Sequence, residues 1–137
     1  MNNSALLAES LQRATIIRLK SDSILTATLS GVFDYIPTAT PLPYIATRMD
    51  SWGHYSAGMA VRVSHFNSTV QVWSGYDGNA ELFTLMQRVE LLLCLPAMNL
   101  AEGNLISISL RKTELSPPDV TRKRYGIMSY YSVIEHS

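Results

Sequence analysis

The hydrophobic positions change rhythm several times along the chain, and each change predicts an element. Leu7, Leu11, Ala14 and Ile17 recur at spacings of four, three and three behind Ser4, a good N-cap. That spacing puts them on one face of a helix running to near Lys20. Ser21-Asp22-Ser23 stops this helix or caps a second, short one carrying Ile24, Leu25 and Leu29, with Gly31 as its terminator. The clearest helical repeat is Leu82, Leu85, Met86, Val89, Leu92 and Leu93. Asp77 or Asn79 caps it, Glu81 complements the dipole of its first turn, and Pro96 ends it.

Elsewhere the period drops to two. Val61 and Val63 alternate with polar residues, as do Val70 and Val72, but the parity slips between the two pairs. Asn67-Ser68 is therefore either a hairpin turn or a bulge inside one long bent strand. Ile106, Ile108 and Leu110 share a strand face, and Tyr125 to Ile134 alternates again after the turn Ser116-Pro117-Pro118-Asp119. So short a connection makes the last two strands an antiparallel hairpin. Pro37, Pro41 and Pro43 exclude helix interior or central strand between Phe33 and Tyr44, which reads as an ordered extended loop. A strand is expected from Tyr44 to about Met49, and Ser51 to Gly58, which lacks a sustained period, reads as a loop. The expected fold class is α+β: a mostly antiparallel sheet with an N-terminal helix and a central amphipathic helix packed on one face.

Composition narrows this picture. The 137 residues suit a single domain spanning 1–137, with no internal repeat or composition shift to mark a second. Eleven basic and eleven acidic residues cancel, so the whole chain offers no electrostatic attraction to nucleic acid or an anionic membrane. Charged residues are only 16% of the chain against 47% apolar, which suggests that part of the surface is covered by other molecules or copies. The lone Cys94, within Leu91-Leu92-Leu93-Cys94-Leu95, is expected to be a buried, inert thiol. Neither a signal peptide nor an apolar run of membrane-spanning length is visible, so assembly in a cytoplasm is expected.

The common catalytic and cofactor motifs are absent, and His54, His65 and His136 stand apart from acidic or cysteine companions. We expect no enzyme, no cofactor and no metal site, with the histidines in surface or structural roles. Asp34, Asp50 and Asp77 fit capping and turn duties. Charge is nevertheless uneven: residues 1–110 hold six basic and eight acidic residues, and 111–137 hold five and three. Antiparallel pairing of the last two strands would gather Arg111, Lys112, Arg122, Lys123 and Arg124 near the hairpin tip. Such a cluster is either an ordinary edge-strand defence against aggregation or a small phosphate-facing patch that gains strength when copies are arrayed.

The segments Gly31-Val32-Phe33-Asp34-Tyr35-Ile36-Pro37, Pro41-Leu42-Pro43-Tyr44-Ile45, Val72-Trp73-Ser74 with Gly78 beyond, and Arg124-Tyr125-Gly126-Ile127-Met128 follow one another in a telling order. In that order the chain resembles the tail-completion, or tail-terminator, proteins of long-tailed bacteriophages and gene transfer agents. The resemblance implies a virion protein without catalysis, a subunit of a ring, usually a hexamer. Such a ring caps the head-proximal end of the tail tube, stops tube polymerisation and joins the tail to the head connector. Its implied partners are copies of itself, the tail tube protein, the head-closure or connector protein and DNA passing through the lumen, with no membrane. The basic cluster is then expected to face the lumen or a partner, and Tyr44 and Trp73 to be core anchors or subunit contacts. Two rival functions are a head-closure or adaptor ring and a small nucleic-acid-binding module.

Overall fold

The computed structural model of the chain describes residues 4–55, 62–75, 79–94, 98–117 and 123–136. Helix α1 (Ser4–Lys20) leads into the short α2 (Ser23–Thr28), followed by strands β1 (Val32–Phe33), β2 (Tyr44–Tyr55) and β3 (Arg62–Ser74). Helix α3 (Ala80–Cys94) and the hairpin β4 (Asn104–Leu115) and β5 (Arg124–His136) complete it. The strands form one sheet in the order β1-β2-β3-β5-β4, antiparallel except for the short parallel pair β1·β2. This is the expected α+β arrangement.

The buried face of α1 is rotated from the one its apolar spacing suggests. Leu7, Ala8, Leu11, Thr15 and Leu19 are buried, Ala14 is half-buried, and Ile17 is 58% exposed. Thr15 goes inward because its hydroxyl donates to the Leu11 carbonyl at 2.9 Å, so no buried donor is left unmade. In α3, Leu82, Leu85, Met86, Val89 and Leu93 are buried and Leu92 is partly buried, as expected. They meet Phe66, Val70 and Val72 of β3 and Met128, Tyr130 and Ile134 of β5 in one core.

Asp22 caps α2: its Oδ2 accepts from the Leu25 amide at 3.0 Å. The same carboxylate receives Arg88 of α3 through two hydrogen bonds, Nε at 3.0 Å and Nη2 at 2.6 Å. Arg88 holds the Asp22 carboxyl below the usual carboxylate range, and Asp22 in turn raises the guanidinium. At its far end α2 closes on Leu29, not on Gly31. Gly31 lies beyond the cap, where its carbonyl accepts the Ile45 amide and starts the β1·β2 pairing.

One strand reading is corrected and one open alternative is decided. The stretch from Ser51 to Tyr55, expected as a loop, continues β2. A register shift between Met49 and Ser51 inverts the in-and-out alternation at Asp50, which hides the strand period from the sequence. In β3, the alternative of one long strand holds and the turn does not: the strand pairs with β5 without interruption from Arg62 to Ser74, and the irregularity opposite Asn67 and Ser68 belongs to β2. Its helix-side face is Ser64, Phe66, Val70, Val72 and Ser74, and Val63 belongs to the opposite face. Buried serines with low apolar contrast blurred that alternation. The proline-rich connection is ordered as expected, with Ser30 Oγ donating to the carbonyls of Pro41 and Pro43 at 2.6 and 3.1 Å. Asp77, Pro96 and the second half of the Ser116–Asp119 turn lie outside the described residues. Asn79 stands immediately before α3, its carbonyl accepting the Phe83 amide at 2.8 Å.

Candidate functional site

All the helical packing against the sheet is on one side, because the even positions of β3 and β5 form the core. The odd positions face away from the helices and are mostly half-buried. On this open face a row of aromatic rings crosses four strands. Phe33 lies 6.4 Å from Tyr44, Tyr44 stacks on Trp73 at 5.9 Å, and Trp73 lies 4.5 Å from Tyr125. The pairings Tyr44↔Trp73 and Trp73↔Tyr125 set these side chains opposite one another, which is how a sheet builds such a ladder. Tyr44 and Trp73, expected as core anchors or subunit contacts, are therefore half-buried on the open face.

A second, shorter row runs beside it. The His65 ring stacks on Tyr131 at 5.8 Å, and the Arg111 guanidinium lies 4.5 Å from the Tyr131 ring centroid. Gly53 admits the His65 ring, whose Nε2 lies 2.7 Å from where a β-carbon at 53 would stand. At the end of the sheet His54 Nδ1 and His136 Nε2 both engage the buried Ser64 hydroxyl, at 2.7 and 3.0 Å. Desolvation, with His54 and Arg62 nearby, lowers the His136 pKa. No group of three or more His, Cys, Asp or Glu suited to a metal ion occurs among the described residues.

Among the described residues, the basic side chains of the hairpin lie as two separate pairs. Lys123 is exposed and Arg124 is half-buried where β5 starts, with Arg124 opposite Ser74. Arg111 and Lys112 lie four and three residues before the end of β4, or about 10–13 Å back along the strand. Lys112 Nζ pairs with Glu114 Oε1 at 2.8 Å, which raises the ammonium pKa, and Arg111 is engaged with Tyr131. Arg122 lies outside the described residues. The turn residues alone could not show this, because β4 stays paired with β5 for three residues beyond Lys112, to Leu115 opposite Gly126.

Cys94 is exposed at the end of α3, not buried. Desolvation of its sulfur and the nearby Glu90 push the thiol pKa up, so it stays protonated. Tyr130 is fully buried, and desolvation pushes its phenol far above the ordinary range. Sequence reasoning missed the two sheet edges. Among the described residues, the outer edge of β4 carries no partner strand and β2 pairs with β1 only at Ile45 and Ala46. Beyond that, β2 displays Arg48 and Asp50, joined at 2.6 Å.

No helix among the described residues is long and apolar enough to cross a membrane. No curated protein matches the sequence significantly. Among solved structures, a chain from the virion of a native gene transfer agent particle superposes with a TM-score of 0.76 at 20% identity, covering 93% of this chain and 96% of that one. The gp17 protein of bacteriophage SPP1 superposes with a TM-score of 0.63 at 21% identity, covering 93% of this chain and 90% of that one. These likenesses establish the fold. Residues 13–131 match the family described as tail completion protein gp17; the chain belongs to that family and is a structural protein of the tailed virion.

Proposed function

We propose that the chain is a tail-terminator subunit: copies form a ring, most simply a hexamer, that caps the head-proximal end of the tail tube and stops its growth. The ring joins tail to head connector, touching the tube protein on one side and the head-closure protein on the other, with DNA passing through its lumen. The observation that carries this reading is the one-sided sheet, with a half-exposed aromatic face and two incompletely paired edges. Such a subunit buries its remaining apolar surface against neighbours and not within itself. The low charge content agrees.

The basic side chains of the terminal hairpin, Arg111, Lys112, Lys123 and Arg124 with Arg122, are proposed to face the lumen or a partner ring. As two separated pairs they suit light, repeated contact with DNA phosphates around a ring. They do not suit tight binding by one subunit. This weighs against a monomeric nucleic-acid-binding module.

Deleting the gene tests the reading. Full heads with tails of uncontrolled length are expected. Tails of normal length with heads that leak DNA would overturn it in favour of a head-closure or adaptor ring.

A further inference from the structure

We propose that neighbouring copies join edge to edge, the outer edge of β4 adding to the outer edge of β2 in the next copy, in the register that sets Glu114 opposite Arg48 and Lys112 opposite Asp50. The proposal rests on the ring reading above and names the surface that closes the ring. Four features of the fold converge on it.

The first is strand direction. The four long strands β2, β3, β5 and β4 alternate strictly, so β2 and β4 at the two sides run in opposite directions. In a ring whose axis runs along the strands, β4 of one copy therefore meets β2 of the next antiparallel. The sheet continues without a break in its alternation.

The second is hydrogen-bond phase. The Ser116 amide donates inward to the Tyr125 carbonyl, so the peptide groups of every second residue back from there, Glu114 and Lys112, also point inward. Those of Thr113 point out. On the other edge the Ile45 amide points outward to Gly31, so the peptide groups of Met49 point outward as well. The proposed register faces Thr113 with Met49, two residues whose N–H and C=O are turned to the free edge. A slip of one residue would face outward groups with inward ones.

The third is side-chain facing. Glu114 and Lys112 share the open face with Ile127 and Ser129, their partners on β5. Arg48 is opposite Thr69 on that same face, and Asp50 reaches both Arg48 and the Thr69 hydroxyl there. Thr113 and Met49 both turn to the helix side.

The fourth is charge. Each edge carries a cation and an acid two residues apart, Arg48–Asp50 and Lys112–Glu114, all well exposed except the partly covered Asp50. Antiparallel pairing reverses the order of one edge against the other, so each cation meets an acid. The Leu110 amide, which meets the Cys94 sulfur, lies outside the paired stretch. A pair of β4 strands would also match its own charges, but it would stop at two copies and leave β2 open. Only the head-to-tail contact uses both edges and closes a ring.

Charge exchange tests the contact in assembled particles, from producing cells that lack the native gene and carry a variant. Arg48→Glu and Glu114→Arg each place like charges across the contact and are expected to reduce complete particles by at least about tenfold. The double variant R48E/E114R is expected to recover to near the unsubstituted level, although it restores neither intrachain pair. Harmless single variants, or a double variant no better than the worse single, would overturn the proposal. Circular dichroism melting verifies that each variant folds. In a C94S background, M49C/T113C is expected to give an oxidised ladder extending past dimer. Monomers alone from particles with normal tails, or dimers from T113C by itself, would overturn the pairing and leave the terminator reading intact. Normal-length tails without the gene would overturn the terminator reading itself.

Discussion

Gly103 offers a sharp test of how the terminal hairpin is anchored. It stands one residue before β4 with φ +75°, a conformation that costs an L-residue about 1–2 kcal/mol. A β-carbon there would lie 2.7 Å from Ile134 Cγ2, and 3.1 Å from both the Glu135 carbonyl oxygen and Leu7 Cδ2. Two of these neighbours are core side chains and one is backbone, so the overlap adds about 1–3 kcal/mol. Reduced unfolded-chain entropy returns about 0.4–1 kcal/mol. Gly103→Ala should therefore destabilise by about 3 kcal/mol, lowering the melting temperature by roughly 12 °C. Urea unfolding followed by circular dichroism should show a lower midpoint at unchanged slope. Gly126→Ala is the control: the near atoms there belong to the flexible Met86 side chain, so a loss of less than about 1 kcal/mol is expected. A Gly103→Ala unfolding free energy within about 0.5 kcal/mol of the parent would refute the reasoning.

Tyr130→Phe should leave stability unchanged or raise it, as read by chemical denaturation, because the buried phenol oxygen has no hydrogen-bond partner among the described residues. Asp22, whose pKa is lowered in the fold, supplies stability that is complete above its ordinary value of 3.8 and lost as pH falls through the lower folded value. Asp22→Asn should flatten the acid limb of a stability-against-pH curve; an unchanged limb would contradict the pairing with Arg88. His136, also lowered, resists protonation in the fold, so its contribution is complete above its ordinary 6.5 and declines as pH drops below it. His136→Gln should remove that decline in melts taken from pH 7.5 to 5.5.

The sequence disclosed most of the fold where contrast between apolar and polar positions was strong. Helix α3, the terminal hairpin and the proline-braced loop were all legible. It misled where a local device altered the rhythm. The irregularity at Asp50 reversed the alternation of β2 and disguised five strand residues as loop. Thr15 replaced Ile17 on the buried side of α1 because a hydroxyl bonded to its own helix packs as an apolar group. The candidate surface was half legible. Tyr44, Trp73 and the cationic residues could be named, but which face the rings share depends on pairing between strands far apart in sequence. The two incompletely paired edges were invisible, since they follow from strand order, which no local pattern encodes.

The aromatic row has a spectroscopic consequence. The two tryptophans occupy opposite faces: Trp52 is beside Phe66 on the helix side, and Trp73 is held between Tyr44 and Tyr125 on the other. With Trp52 replaced by phenylalanine, the emission of Trp73 becomes a built-in optical gauge of whatever settles on the bare side of the sheet, and excitation of its tyrosine neighbours funnels into it. The chain thus carries its own reporter of assembly, placed where contact with another molecule would change its surroundings most.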